Sequence, residues 1–159
     1  MRTTAGNTPG PATGRPSPRQ VRQLRRAGIA ALALLLIQSG IGIGVNLAVT
    51  VPAADHGHGI DTAISSGPAA LSVHVVTGLL LILAAIGLVA QAVIARHRSV
   101  IITSAIALLA VTGAAFAGSG FVSSGRQAAS AAMAILAGVA LVSYAAGLFL
   151  LRPPRHGAP

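Results

Sequence analysis

The sequence has no cysteine, no tryptophan and no lysine, and only two acidic side chains. Without cysteine, thiol redox chemistry and disulfide cross-links are excluded in any compartment. The shortage of acids leaves a net charge of +9, carried entirely by arginine. With abundant alanine and 19 glycines, that usage points to a GC-rich bacterial genome. Charged residues make up 8% of the chain, against about 25% in a soluble domain. Hydrophobic residues make up 53% and mean hydropathy is +0.79. A 159-residue chain this apolar cannot hide its surface in one water-soluble core, so lipid must be part of its solvent.

Residues 1–26 carry Pro9, Pro11, Pro16 and Pro18 among Thr, Gly, Ser and Arg, with no hydrophobic period. Such a segment reads as a disordered tail. Four long apolar runs follow, at about 27–51, 69–95, 99–121 and 128–151, and none contains Asp, Glu, Lys or Arg. A run of roughly 20 residues crosses about 30 Å of hydrocarbon. Pro52, Pro68 and Pro153 sit just outside the runs, where helices are allowed to end. The expected fold is all-α: a polytopic membrane protein, a four-helix transmembrane bundle with a disordered N-terminal tail and a short second tail at 152–159.

Arginine placement predicts the orientation. Six Arg lie in the N-terminal tail, two in the Arg96-His97-Arg98 corner and two after the last run, while Arg126 alone falls on the other side. Cytoplasmic segments are enriched in basic residues, so both ends are expected in the cytoplasm and the chain in the cell (plasma) membrane. The positive charge thus flanks membrane spans and is no nucleic-acid footprint. An Arg-rich start before an apolar run also describes a secretory signal, with Pro52-Ala53-Ala54 as a weak cleavage site. The run from Ala27 to Val51 is longer than the roughly 7–15 apolar residues of such a signal, which favours a retained span.

In lipid, helices associate where small residues allow close approach. Gly40, Gly44 and Ala33 form one stripe of the first span, and Gly42 lies on another with Gln38, Val45 and Asn46, giving two expected contact faces. Thr103, Ala107, Ala110, Ala114 and Gly118 form a stripe in the third span. In the fourth, Ser130, Met133, Ala134, Ala137, Leu141 and Tyr144 share a face.

Polar side chains within the spans are the candidates for chemistry, because their burial in hydrocarbon is costly. His74 should face the bundle near the outer end of the second span, its stripe continued by Thr77, Gly78, Leu81, Ala85 and Leu88. Asn46, Ser130 and Met133 are expected at matching depth. One reading makes His74 an axial ligand of a haem b, with Met133 or a loop histidine as the second ligand and Gly78 leaving room for the ring. The plainer reading is a neutral His74 bonded to Asn46 or to a backbone carbonyl, as glue between helices. The first connection reads Asp55-His56-Gly57-His58-Gly59-Ile60-Asp61. Two imidazoles and a carboxylate there could hold zinc or copper, although solvated loop histidines are the commoner case. Gln38, near mid-membrane, should satisfy its amide within the bundle, and Gln91 lies near the cytoplasmic end. Tyr144 and the hydroxyls of Ser and Thr lack the acid, base and nucleophile arrangement of an enzyme. No span holds the titratable carboxylate that proton-coupled export needs, which argues against a small permease.

The run from Gln38 through GIGIGVNLAVTVP to HGHG, then GPAALSVHVVTGLLLILAAIGL, resembles a group of four-span membrane proteins of GC-rich actinobacteria with no assigned activity. The residues that carry the resemblance are Gln38, Asn46, Leu47, Pro52, His56, Gly57, Gly67, Pro68 and His74. It implies a shared fold and a polar site on the outer side. More distantly, the chain resembles small haem b four-helix bundles, which usually supply paired intramembrane histidines where this chain has one. The leading expectation is a non-enzymatic bundle, structural or accessory to a membrane complex, with lipid and either its own copies or other membrane subunits as partners. No cofactor is expected on that reading; haem b or a transition metal belongs to the rival reading, a membrane electron carrier.

Overall fold

The computed structural model describes residues 17–48, 69–124 and 127–151. They form four helices: α1 Pro18–Ala48, α2 Ala69–Ile94, α3 Arg98–Ser124 and α4 Gln127–Leu150. All four are long and apolar enough to cross a membrane. α1 packs on α2 and α4, and α3 packs on the same two, with α3 and α4 the most closely joined pair. Neighbours run antiparallel, so the helices form an up-and-down ring whose two ends are chemically distinct. One end holds the start of α1, the α2–α3 corner and the end of α4. The other holds the end of α1, the start of α2, the end of α3 and the start of α4.

The buried positions explain the packing. They fall at Leu24, Gly28, Ala31, Leu35 and Gln38 on α1, and at Leu71, Leu81, Ala85, Leu88, Ala92 and Ala95 on and just past α2. Ala140, Tyr144, Gly147 and Leu151 continue the pattern on α4. Steps of three and four alternate, which keeps one seam facing its neighbour and favours shallow, left-handed crossings. Outside the seam lie Leu36, Ile37, Leu83, Leu109, Phe116, Ile135 and Val142, all exposed. No more than 28% of any span's most apolar stretch is buried within the bundle, so the apolar exterior requires lipid around it. The described residues thus form the four helices of an integral membrane protein.

Close approach is achieved by glycines that receive a neighbour's side chain. A Cβ on Gly28 would stand 3.0 Å from Leu148, on Gly113 3.2 Å from Leu136, on Gly118 3.2 Å from the Met133 sulfur and on Gly147 2.9 Å from the Thr103 hydroxyl. These contacts fasten α1 to α4 and α3 to α4 along their length. The small-residue stripe of α3 faces inward as expected, with Ala107 and Ala110 buried. On α4 the expected face holds at Met133, Ala137, Leu141 and Tyr144, but Ala134 is exposed, because the seam steps from 133 to 136–137 and then to 140. On α1 only the Gly42 face meets a neighbour. At Gly40 and Gly44 a Cβ would meet no described atom within 4 Å, and Ala33 is exposed, so this stripe looks outward.

The start of α1 differs from the sequence reading and has a local cause, while the α2–α3 corner falls where it is expected. The tail was expected to run to Arg26, yet α1 begins at Pro18. Ser17 and Gln20 form a reciprocal cap: the Ser17 amide donates to Gln20 Oε1 at 2.8 Å and the Gln20 amide to Ser17 Oγ at 3.3 Å. Pro18 occupies the first helical position, where its missing N–H costs nothing. Val21 and Leu24 then pack this extension onto the core. At the α2–α3 corner the amide of His97 donates to the carbonyl of Ala92 and that of Arg96 to Val93. This is the paired closure of a helix C-terminus around a left-handed residue, here Arg96 with φ 52°. His97 in turn accepts from Val100 and Ile101, so one residue ends α2 and opens α3.

Candidate functional site

Polar side chains meet between α1 and α2, in the half of the bundle away from the termini. α1 carries Gln38 in its buried stripe, one turn from Gly42. α2 carries His74, Thr77 and Gly78, with His74 just over one turn from its start at Ala69. The Gln38 amide nitrogen donates to the backbone oxygen of His74 at 2.7 Å. Its carbonyl accepts from the Thr77 hydroxyl, and its nitrogen lies 3.5 Å from His74 Nε2, a long and weak contact. Thr77 Oγ1 also lies 2.7 Å from the carbonyl oxygen of Val73. With one proton to give, it serves one acceptor at a time.

Two glycines make this junction. A Cβ on Gly42 would stand 2.9 Å from His74 Cε1, and one on Gly78 3.0 Å from Gln38 Nε2. The imidazole therefore lies on the α1 backbone at Gly42, and the Gln38 amide fills the space above Gly78. His74 Nδ1 is buried and has no partner among the described residues.

The expected site residues divide accordingly. His74, Gly78 and Gln38 are brought together, and Gln38 satisfies its amide as expected. Met133 is elsewhere, its sulfur against Gly118 between α3 and α4, and α2 and α4 stand across the ring from one another. The space expected to admit a flat ring at Gly78 belongs to Gln38, so these residues do not fit a haem held between His74 and Met133. Asn46 is the residue expected at the depth of His74; the α1 residue shown against the imidazole is Gly42, one turn earlier. Asn46 lies within α1 but its side chain is outside the described residues, as are Asp55, His56, His58 and Asp61. Ser130, near the start of α4, is half-buried and engaged in an interaction. Gln91 is exposed.

A second polar zone lies toward the termini, where Thr103, Ser104, Ser143 and Tyr144 line a cleft with Gly28, Leu88 and Gly147. The Ser104 hydroxyl donates to the carbonyl of Val100 at 2.6 Å and that of Ser143 to Val139 at 2.8 Å, so both bond within their own helices. Tyr144 is 3% exposed, and its hydroxyl has no partner among the described residues. Among those residues no group of three or more His, Asp or Glu side chains comes together.

Gly42 and Thr77 are the contributors that the sequence reading did not assign to the junction. The signal was present: Gly42 follows Gln38 by four, and Thr77 follows His74 by three, which puts each pair on one face. No protein-family model matches the chain, and no curated protein or solved structure matches it.

Proposed function

We propose that this chain is a non-enzymatic membrane bundle, structural or accessory to a larger membrane complex, set in the cell membrane with both termini in the cytoplasm. The observation that carries this reading is the filled interior. Gly28, Gly42, Gly78, Gly113, Gly118 and Gly147 each receive a side chain of the adjacent helix, and the interhelical polar group, Gln38–His74–Thr77, bonds mainly to itself. The arginine distribution supports the orientation. The outward stripe of Gly40 and Gly44 and the wide apolar exterior leave lateral contacts, with lipid or with other subunits, as the chain's main business.

The rival is a haem- or metal-binding electron carrier centred on His74, and the buried, unpartnered Nδ1 of that residue favours it. It needs the imidazole to leave Gly42 and Gln38 to vacate Gly78. An absorption spectrum and elemental analysis of the purified protein separate the two. A Soret band lost in His74→Ala, or a stoichiometric transition metal, would overturn the accessory reading; a colourless, metal-free protein supports it.

A further inference from the structure

The first turns of α1 carry Arg19, Arg22, Arg25 and Arg26, all exposed. At 3.6 residues per turn these four fall within an arc of about 120° on the face opposite Leu24, Gly28 and Ala31. Val21 and Leu24 hold the segment against the bundle, so the arginines form a fixed stripe rather than a loose tail. α1 has 31 residues, or about 46 Å, and therefore outruns a hydrocarbon layer of roughly 30 Å. Since the apolar run starts at Ala27, the surplus that bears the stripe lies at headgroup depth. Arg96 and Arg98, also exposed, stand at the same end of the bundle. No acidic residue occupies the first turn of α1, so the positive end of the helix dipole adds to the field.

Among the described residues no carboxylate side chain is present to pair with these guanidinium groups. The chain has two acidic side chains, Asp55 and Asp61, against eleven arginines. Two carboxylates cannot balance eleven arginines, so most of the counter-charge comes from outside the chain, at the depth where phosphates lie. We propose that the arginine collar of α1 and the α2–α3 corner is a seat for the headgroups of anionic phospholipids. Guanidinium and phosphodiester match in charge and in forked geometry. The outward aim of the stripe presents it to lipid rather than to the bundle.

The inference rests on the membrane-spanning reading, and the test separates the two. The full chain is reconstituted in phosphatidylcholine vesicles with spin-labelled phosphatidylglycerol or spin-labelled phosphatidylcholine as probe. Loss of the protein to carbonate extraction would refute the spanning reading itself, and the collar with it. With the protein embedded, the immobilised lipid is expected to favour phosphatidylglycerol by about fivefold, the worth of roughly one arginine–headgroup contact. The preference should approach unity in Arg19→Gln/Arg22→Gln/Arg26→Gln, and it should shrink in wild type at high salt, a control that does not depend on how the variant folds. Equal immobilisation of both lipids by embedded wild type refutes the proposal, as does a preference unaffected by either the substitutions or salt. A nucleic-acid duplex that displaces the anionic lipid and binds more tightly also overturns it.

Discussion

Gln38 reaches from α1 across the seam and donates to the backbone oxygen of His74, and through the same amide it accepts from Thr77. One side chain thus ties a helix to two points of its neighbour. Hydrogen bonds between membrane helices average about 0.6 kcal/mol and reach about 1.7. Gln38→Leu is expected to lower unfolding free energy in detergent by about 1 kcal/mol, and Gln38→Leu with Thr77→Val should couple by about 0.5–1 kcal/mol. Strict additivity in that double-mutant cycle would show that the two side chains do not share a bond.

The glycines of α1 should differ sharply. Gly42→Ala drives a methyl into His74 Cε1 and is expected to cost about 1–3 kcal/mol. His74→Ala should relieve most of that cost. Gly40→Ala and Gly44→Ala meet nothing in the described bundle and should leave it unchanged or slightly more stable, since alanine suits a helix better by about 1 kcal/mol. Thermal unfolding of the set decides the matter; equal losses at positions 40 and 42 would contradict the assignment of faces.

Tyr144 separates a side chain's bulk from its hydroxyl. Its ring is buried against the core, so Tyr144→Ala should cost about 3–5 kcal/mol through the cavity it leaves. Its hydroxyl has no described partner, so Tyr144→Phe should change stability by less than about 1 kcal/mol. A large loss in the phenylalanine variant would reveal a bond that this arrangement does not account for.

The ends of the helices offer two further measurements. Ser17→Ala removes the cap of α1 and should cost about 1 kcal/mol, seen as faster amide exchange at Gln20 and Val21 with the rest of the helix unaffected. Arg96 holds a left-handed conformation that glycine adopts without strain, so Arg96→Gly should be neutral or stabilising by up to about 1 kcal/mol. Faster exchange throughout α2 in that variant would argue against the closure.

Orientation is open to labelling, because the chain has no cysteine. A membrane-impermeant thiol reagent applied to intact cells should modify Ser65→Cys and spare Arg96→Cys. The reverse pattern would invert the topology.

How far the sequence could be read depended on whether solvent or geometry decided each feature. The four spans were legible because hydrocarbon imposes length and apolarity on any segment that crosses it. The seam of α3 was legible because Thr103, Ala107 and Ala110 recur at helical spacing. The contact of the His74 ring with Gly42 was not, because depth matching depends on where each helix starts. α1 could be given a start only by noticing that Ser17 and Gln20 cap each other, a signal present in the residues but hidden among prolines. Likewise Gly40 and Gly44 have the spacing of a contact face, and only the angle at which α1 meets α2 and α4 reveals that Gly42 is the one used.

The antiparallel ring has a consequence for synthesis. α1, α2 and α3 can each find a neighbour as soon as the next helix leaves the ribosome, but the seam at Gly28 stays open until Leu148 of α4 arrives. Thr103, Met133 and Leu136 likewise find their seats only when α3 and α4 pair. A nascent chain that has not yet made α4 therefore leaves two grooves unsealed at once, one on α1 and one on α3. α4 closes both seams and so acts as the latch of the described bundle.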